Sequence, residues 1–199
     1  MKNKKLLLLL SFIIILVFNG CKKGEEDPLV SFLSRKARIC RNWEVTEGRV
    51  SYGTPQLSEI YKFGEDNRLI YQENQGSIEG FYKWRFEIKN DGSYRIYQNL
   101  NFPYNYTYVL DEQGYWYFLS KNKDGEAKNK EYVAFQAVSV QANTTNYSYQ
   151  AASPTVYRIV QLKNKSMKLE GIRDNTKTEG SCVSETKIIE NLTLSPDKD

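Results

Sequence analysis

The residues that could take part in chemistry include three cysteines, Cys21, Cys40 and Cys182, but the chain has no histidine. Without histidine there is no Ser-His-Asp triad, no imidazole metal ligand and no imidazole general base near neutral pH. Serines near lysines and the acidic run at 25–27 are explained by a polar surface and a solvated tether. We therefore predict no catalytic residue, no metal site and no cofactor, and we do not expect an enzyme.

Cys21 lies at the end of a pattern typical of export. Three lysines at 2, 4 and 5 precede an apolar run over 6–18, and Gly20 stands directly before the cysteine. A run of 13 residues is shorter than the roughly 18 that a spanning helix needs. The pattern resembles a bacterial lipoprotein signal. An ordinary signal peptide with an incidental cysteine, or a signal-anchor, is the alternative.

The lipoprotein resemblance implies a signal peptide at 1–20, a tether at 21–27 and a single domain at 28–199. It also implies that Cys21 carries acyl chains such as palmitate, which hold the protein on a membrane. Lys22 occupies the position where Asp retains lipoproteins at the inner membrane, so we expect the outer membrane, at its periplasmic face or the cell surface. In that oxidising compartment Cys40 and Cys182 suggest a disulfide, and two free buried thiols are the alternative.

The charge of the mature chain gives no reason to expect nucleic acid as a partner. Three of the 28 lysines and arginines lie in the signal, and the remainder nearly balances the 24 aspartates and glutamates. The membrane, through the lipid anchor, is the expected partner, together with a small hydrophobic ligand or envelope proteins.

One helix is predicted at the start of the domain. Asp27 is placed as its N-cap and Pro28 as its first residue, and the helix is expected to continue for about 12 residues. Its expected apolar stripe is Leu29, Leu33, Ala37 and Cys40, with the polar and charged side chains of 34–36 and 38 mostly off that stripe.

From Trp43 onward the pattern has the period of two that is typical of strands. Over 80–89, aromatic and aliphatic residues alternate with charged ones, and Asn90-Asp91-Gly92 then marks a hairpin turn. Similar strands are predicted at 43–50, 57–63, 68–73, 93–100, 106–110, 115–120, 131–138, 155–162, 166–172 and 183–194. Turns are predicted between many of them, at 64–67, 111–114 and 163–165. About ten short strands joined by turns predict an all-β antiparallel barrel or sandwich. Two long polar loops are expected at 120–130 and 139–154.

Residues 27–38 with 42–45, together with 114–119 and 157–169, resemble the corresponding segments of bacterial lipocalin-like lipoproteins. The resemblance implies an antiparallel meander barrel of eight to ten strands, lipocalin- or calycin-like, with one short N-terminal helix that plugs one end. The resemblance also implies a structural role for Trp43. It further implies that a Cys40–Cys182 disulfide would join the plugging helix to the last strand. Arg158 or Arg173 would stack on Trp43, and Arg41 stands where lipocalins have glycine.

A barrel of this size can hold one small ligand or be filled by side chains. The candidate cavity-lining residues are Tyr82, Trp84, Phe86, Tyr94, Ile96, Tyr117 and Tyr132. The sequence therefore favours a lipoprotein that binds a small apolar or amphipathic ligand. The alternative is a structural or protein-interaction lipoprotein with a filled barrel, whose loops at 120–130 and 139–154 bind envelope proteins.

Overall fold

A computed structural model of the chain describes residues 27, 31, 33–53, 58–73, 76–120, 130–143, 145–148, 153–179 and 182–198, with only the backbone at 146–148, 173–179 and 182–186. These residues form one helix, one 3-10 turn (Glu65–Asn67) and eleven strands. The elements are α1 (Arg35–Ile39), β1 (Asn42–Gly53), β2 (Ser58–Phe63), β3 (Arg68–Glu73), β4 (Gly76–Ile88), β5 (Ser93–Phe102), β6 (Tyr106–Phe118), β7 (Tyr132–Ala142), β8 (Thr145–Ser148), β9 (Thr155–Lys163), β10 (Ser166–Glu179) and β11 (Cys182–Pro196).

The all-β prediction is confirmed, and the described strands form one ring-like sheet. Neighbouring strands are antiparallel in the order β6-β5-β4-β3-β2-β1-β11-β10-β9-β7, and a further pairing between β6 and β7 closes the ring. The short strand β8 pairs with the far end of β7. Closure leaves few unpaired backbone groups at sheet edges.

The ring is wider at one end than at the other. Residues 42–44 of β1 pair directly with 85–87 of β4, whereas residues 48–53 of β1 pair with β2. The β2–β3 hairpin is therefore inserted between β1 and β4 over only part of their length. Eight described strands surround the end where β1 begins, here called the narrow end, and ten surround the opposite end, here called the mouth.

The narrow end is filled by side chains. Phe135 is fully buried, and its ring lies 5.0 Å from Tyr94 and 6.0 Å from each of Phe86 and Tyr157, between ring centroids. Trp43 has no exposed surface and donates from Nε1 to the carbonyl of Ile39 at 2.9 Å. Edge-to-face contacts of this kind add to the free energy gained by burial.

The predicted alternation over 80–89 is confirmed in β4. Tyr82, Trp84, Phe86 and Ile88 are buried and face the interior, while Lys83 is exposed. The predicted hairpin turn follows at 89–92, where Gly92 has φ of +93°. Only glycine adopts that conformation without strain.

The predicted helix is wrong in its length and in its buried face. The described helix α1 has five residues and its N-cap is Ser34, whose Oγ accepts from the amide of Ala37 at 3.0 Å. Asp27 is not the cap, and residues 28–30 and 32 lie outside the described part. Leu33 is exposed, whereas Arg35 and Arg38 are buried together with Ile39.

The buried arginines belong to an N-terminal clamp formed by Asp27, Arg35 and Arg38 on the edge of β9. Strand β7 pairs only with residues 155–158 of β9. Beyond that point the amide of Leu162 donates to Asp27 Oδ1 at 2.6 Å, and Arg35 and Arg38 donate to the carbonyls of Ile159 and Leu162. Side chains thus take the place of a neighbouring strand, which explains why charged residues face inward.

The strand pattern was wrong at two further places. The segment 111–114, where a turn was expected, is continuous β6, because β5 and β7 pair with it on both sides. One extra residue of β7, Val138, lies opposite Gln113–Gly114 and accounts for the shift in register. The expected loop at 139–154 contains the end of β7 and the strand β8. Of the other expected loop, residues 121–129 lie outside the described part.

Candidate functional site

A cavity of about 470 Å³ opens inside the mouth of the ring. Inward-facing residues of β1, β2, β4, β5, β6, β9 and β11 line it. Strands so distant in the sequence meet there because the ring closes between β6 and β7 and between β1 and β11. The inserted β2–β3 hairpin provides part of the wall, and hence part of the volume.

The apolar floor of the cavity is built from aromatic rings of β2 and β4. Trp84 stacks on Phe86 with centroids 5.9 Å apart, and Phe63 meets Trp84 edge-on at 5.2 Å. Ile96 and Leu100 of β5 continue this floor. These side chains are at most 8% exposed, so the floor is rigid and apolar.

Tyrosines line the wall near the mouth. Tyr61 lies 5.7 Å from Tyr52 and 4.8 Å from Tyr71, between ring centroids. Burial raises the pKa of the Tyr61 and Tyr108 hydroxyls, and burial with Glu59 nearby raises the pKa of Tyr71 to about 12. The phenols therefore stay neutral at physiological pH and present hydrogen-bonding groups without charge.

The other polar groups of the lining are the carboxylates of Glu112 and Glu190, the amide of Gln98 and the hydroxyl of Thr155. Glu112 accepts from the hydroxyl of Tyr94 at 2.7 Å, and burial, then Glu112, raises the pKa of Tyr94. Glu190 is 3% exposed. A Cβ at Gly171 would lie 2.9 Å from the ring of Tyr157 and 3.1 Å from Glu190 Oε2, so glycine makes room for both.

The structure brings together three of the seven predicted cavity-lining residues, namely Trp84, Phe86 and Ile96. Tyr82 is buried in the wall, where its hydroxyl donates to the carbonyls of Val45 and Gly64 at 3.0 and 3.1 Å. Tyr94 belongs to the filled narrow end. Tyr117 and Tyr132 do not line the cavity. Tyr117 is 42% exposed on the outer face.

The cavity residues of β1, β2, β6, β9 and β11 were not predicted from the sequence. The alternation Tyr106, Tyr108, Leu110, Glu112 was available as a sequence signal. The predicted turn at 111–114 ended the predicted strand at 110 and so cut this alternation short. The lining residues of β1 and β11 required the ring order, which no local pattern contains.

The arrangement of the two cysteines does not support the predicted disulfide. Cys40 has a free, half-buried thiol, and burial raises its pKa. Its neighbour Trp43 pairs with Pro196 at one end of the 15-residue strand β11, whereas Cys182 begins that strand. At about 3.3 Å per residue the two cysteines lie tens of ångströms apart, far beyond disulfide reach. The side chain of Cys182 is outside the described part.

The arginine that lies over Trp43 is neither Arg158 nor Arg173, the two that the resemblance implied. The guanidinium of Arg41 lies 5.2 Å from the centroid of the Trp43 ring. Arg158 instead pairs with Glu131 at 3.1 Å and Glu170 at 3.5 Å. The side chain of Arg173 lies outside the described part. The full burial of Trp43 agrees with a structural role.

Cys21 and the apolar run before it lie outside the described residues. Among the described residues no helix is long and apolar enough to cross a membrane. Within the same residues no group of three or more acidic or cysteine side chains is placed to hold a metal ion. Comparison with the models of known families, with curated proteins and with solved structures finds no match.

Proposed function

We propose that this chain is a lipid-anchored, lipocalin-like lipoprotein of the cell envelope that binds a small apolar or amphipathic ligand. The observation that carries the proposal is the cavity of about 470 Å³ inside one end of the ring. In this proposal the ring is a lipocalin-like barrel, with the filled narrow end as its base and the mouth as the entrance for the ligand.

The size and the lining of the cavity support this function. Pockets for small molecules commonly measure about 300–1,000 Å³ and combine apolar walls with a few polar groups. Trp84, Ile96 and Leu110 offer an apolar surface to the body of a ligand, and Glu112 and Gln98 offer hydrogen bonds to a polar end. An amphipathic ligand satisfies both parts of this lining.

The anchoring part of the proposal rests on Cys21 and its sequence context. Acylation is tested by growing cells with an alkyne-labelled palmitate and comparing the wild-type chain with Cys21→Ser. Label on the wild type alone supports anchoring. Label on both chains, or on neither, refutes it. Fractionation of the envelope then tests the expected outer-membrane location, which rests on Lys22 after the cysteine.

Ligand binding is tested by native mass spectrometry of the purified chain, alone and with a panel of envelope lipids and glycans. Leu110→Trp adds a large side chain at the cavity lining, so we expect it to weaken binding at least tenfold. Val109→Trp is the matched control, because Val109 is the neighbouring, half-buried residue outside the lining set. A wild-type chain that neither retains nor gains any ligand contradicts the proposal.

The second candidate function is that of an interaction lipoprotein without a ligand. It is favoured by three exposed aromatic residues near the mouth, Phe81, Tyr104 and Tyr106, which are 62%, 101% and 64% exposed. Exposed aromatic side chains are common in protein interfaces. Cross-linking in intact cells from position 104 distinguishes the two functions, because a specific envelope protein captured there supports this second one.

A further inference from the structure

We propose that the narrow end of the ring is a docking surface for anionic lipid headgroups, so that the mouth faces away from the membrane. The surface consists of five exposed lysines, Lys36, Lys89, Lys163, Lys165 and Lys198. The proposal rests in part on the proposed anchoring at Cys21. It adds which face of the protein meets the bilayer, and by what chemistry.

These lysines come from four separate parts of the chain that meet at one end. They belong to α1, to the turn between β4 and β5, to the end of β9 with the turn that follows it, and to the segment after β11. Backbone bonds join these parts, since Ile88 donates to Arg41 at 3.1 Å and Asp197 donates to Asn42 at 3.0 Å. Arg41 in turn donates to the carbonyl of Asn164.

The described carboxylates of this end are mostly paired or partly buried, whereas the five lysines are exposed. Asp197 pairs with Arg85 at 2.9 Å, and Glu131, which is 7% exposed, pairs with Arg158. Asp91 is the exposed carboxylate of the β4–β5 turn, and Glu44 and Glu87, on the paired ends of β1 and β4, are half-buried. None of the five lysines forms an ion pair with a described residue. The excess positive charge is complementary to an anionic lipid surface.

The path of the N-terminal segment brings the same end toward the anchor. Asp27 is fixed on β9 through its bond from the amide of Leu162. Six residue steps separate Cys21 from Asp27, and an extended chain covers at most about 3.5 Å per step. An acyl anchor at Cys21 therefore keeps the clamp within roughly 20 Å of the bilayer.

The opposite end lies too far away to be held by the same charges. The nine steps of β5 from Ser93 to Phe102 span roughly 30 Å at the rise of a strand. Electrostatic attraction to a headgroup surface decays over a Debye length of about 10 Å at 0.1 M salt. Docking by the narrow end thus leaves the cavity open to the medium.

The test is lysine footprinting of the acylated full chain in nanodiscs, made with phosphatidylcholine alone or with added phosphatidylglycerol. A water-soluble acylating reagent modifies exposed lysines, and mass spectrometry gives the rate at each one. Lys62, Lys83 and Lys187, which are exposed on strands of the wall, serve as controls within the same molecule. We expect the narrow-end lysines to react about fivefold more slowly in anionic nanodiscs, and high salt to reverse this protection.

Three results would overturn the inference. Equal rates in both lipids show that charge is not recognised, and protection of the wall lysines shows a different orientation. Protection by soluble polyglutamate without protection by anionic lipid assigns the surface to an acidic protein. The intact mass separates these results from a failure of anchoring, because a chain without acyl groups refutes the anchor itself. Ligand binding at the mouth is measured independently of all of them.

Discussion

Replacing Asp27 should destabilise the fold more than any surface substitution, although this residue precedes the first described helix by eight positions. Its carboxylate pairs with Arg35, and their side chains are 2% and 4% exposed. The same carboxylate accepts from the amide of Leu162 at 2.6 Å. Burial lowers the pKa of the Arg35 guanidinium and Asp27 partly offsets this effect, so the arginine depends on its partner.

The magnitude follows from what Asp27→Ala leaves behind. An unpaired buried charge costs about 3–5 kcal/mol, and a buried amide without an acceptor costs about 1–3 kcal/mol. These costs overlap because the two partners share one carboxylate, so we expect a loss of about 4 kcal/mol. Asp27→Asn keeps an acceptor oxygen and loses the charge, and we expect about half of that loss.

Urea unfolding followed by tryptophan emission measures the effect, using a chain from residue 21 with Cys21→Ser. The midpoint should fall while the urea dependence of the free energy stays unchanged. In a double-mutant cycle, Arg35→Met should recover at least about 1 kcal/mol of the loss from Asp27→Asn. Asp66→Asn, in an exposed turn, is the control and should change stability by less than about 0.5 kcal/mol. A loss below 1 kcal/mol for Asp27→Ala refutes the reasoning.

Two further predictions concern the wall. Gly114→Ala should cost about 1–3 kcal/mol, because a Cβ there would lie 2.0 Å from the carbonyl oxygen of Gln136. Gly64→Ala, where no atom lies within 4 Å of the added Cβ, should be near neutral, and equal thermal unfolding of both variants would contradict the close approach. Asp111 accepts two hydrogen bonds from Arg95 at 2.6 and 2.9 Å, which lower the pKa of its carboxyl. A lowered folded-state pKa stabilises the fold above the unfolded-state pKa, and this contribution disappears as pH falls through the folded-state value. Asp111→Asn should therefore cost less than about 1 kcal/mol at pH 7, because the pair is partly exposed, and nothing at a pH below the folded-state pKa. A cost that persists in acid would exclude the ion pair as its cause.

The parts of the fold that the sequence predicted are those in which local pattern and burial agree. The alternation of β4 and its glycine turn are examples, since one face of that strand is packed and the other is exposed. The pattern failed at β6, where Asp111 and Gly114 resemble a turn but have a pairing strand on each side. Pairing with both neighbours satisfies the backbone there and overrides local turn preference.

The prediction of the helix was wrong for a different reason. Hydrophobicity patterns assume that charged side chains avoid the interior, but Arg35 and Arg38 bury their stems and donate to an open strand edge. That edge exists because β7 stops short on β9, which is a property of the whole ring. The cavity depended on the same long-range order. The cavity residues of β4 were predicted from the alternation within that strand, whereas the cavity residues of β1 and β11 were not predicted.

The insertion of β2 and β3 between β1 and β4 divides the wall into two parts with different tolerance for change. The eight-stranded base is complete without the hairpin, because β1 and β4 bond to each other there. Substitutions in β2 and β3 would reshape the entrance while the packing around Phe135 stays intact. Changes in this one hairpin can thus alter which ligands enter the cavity, both in related chains and in designed variants.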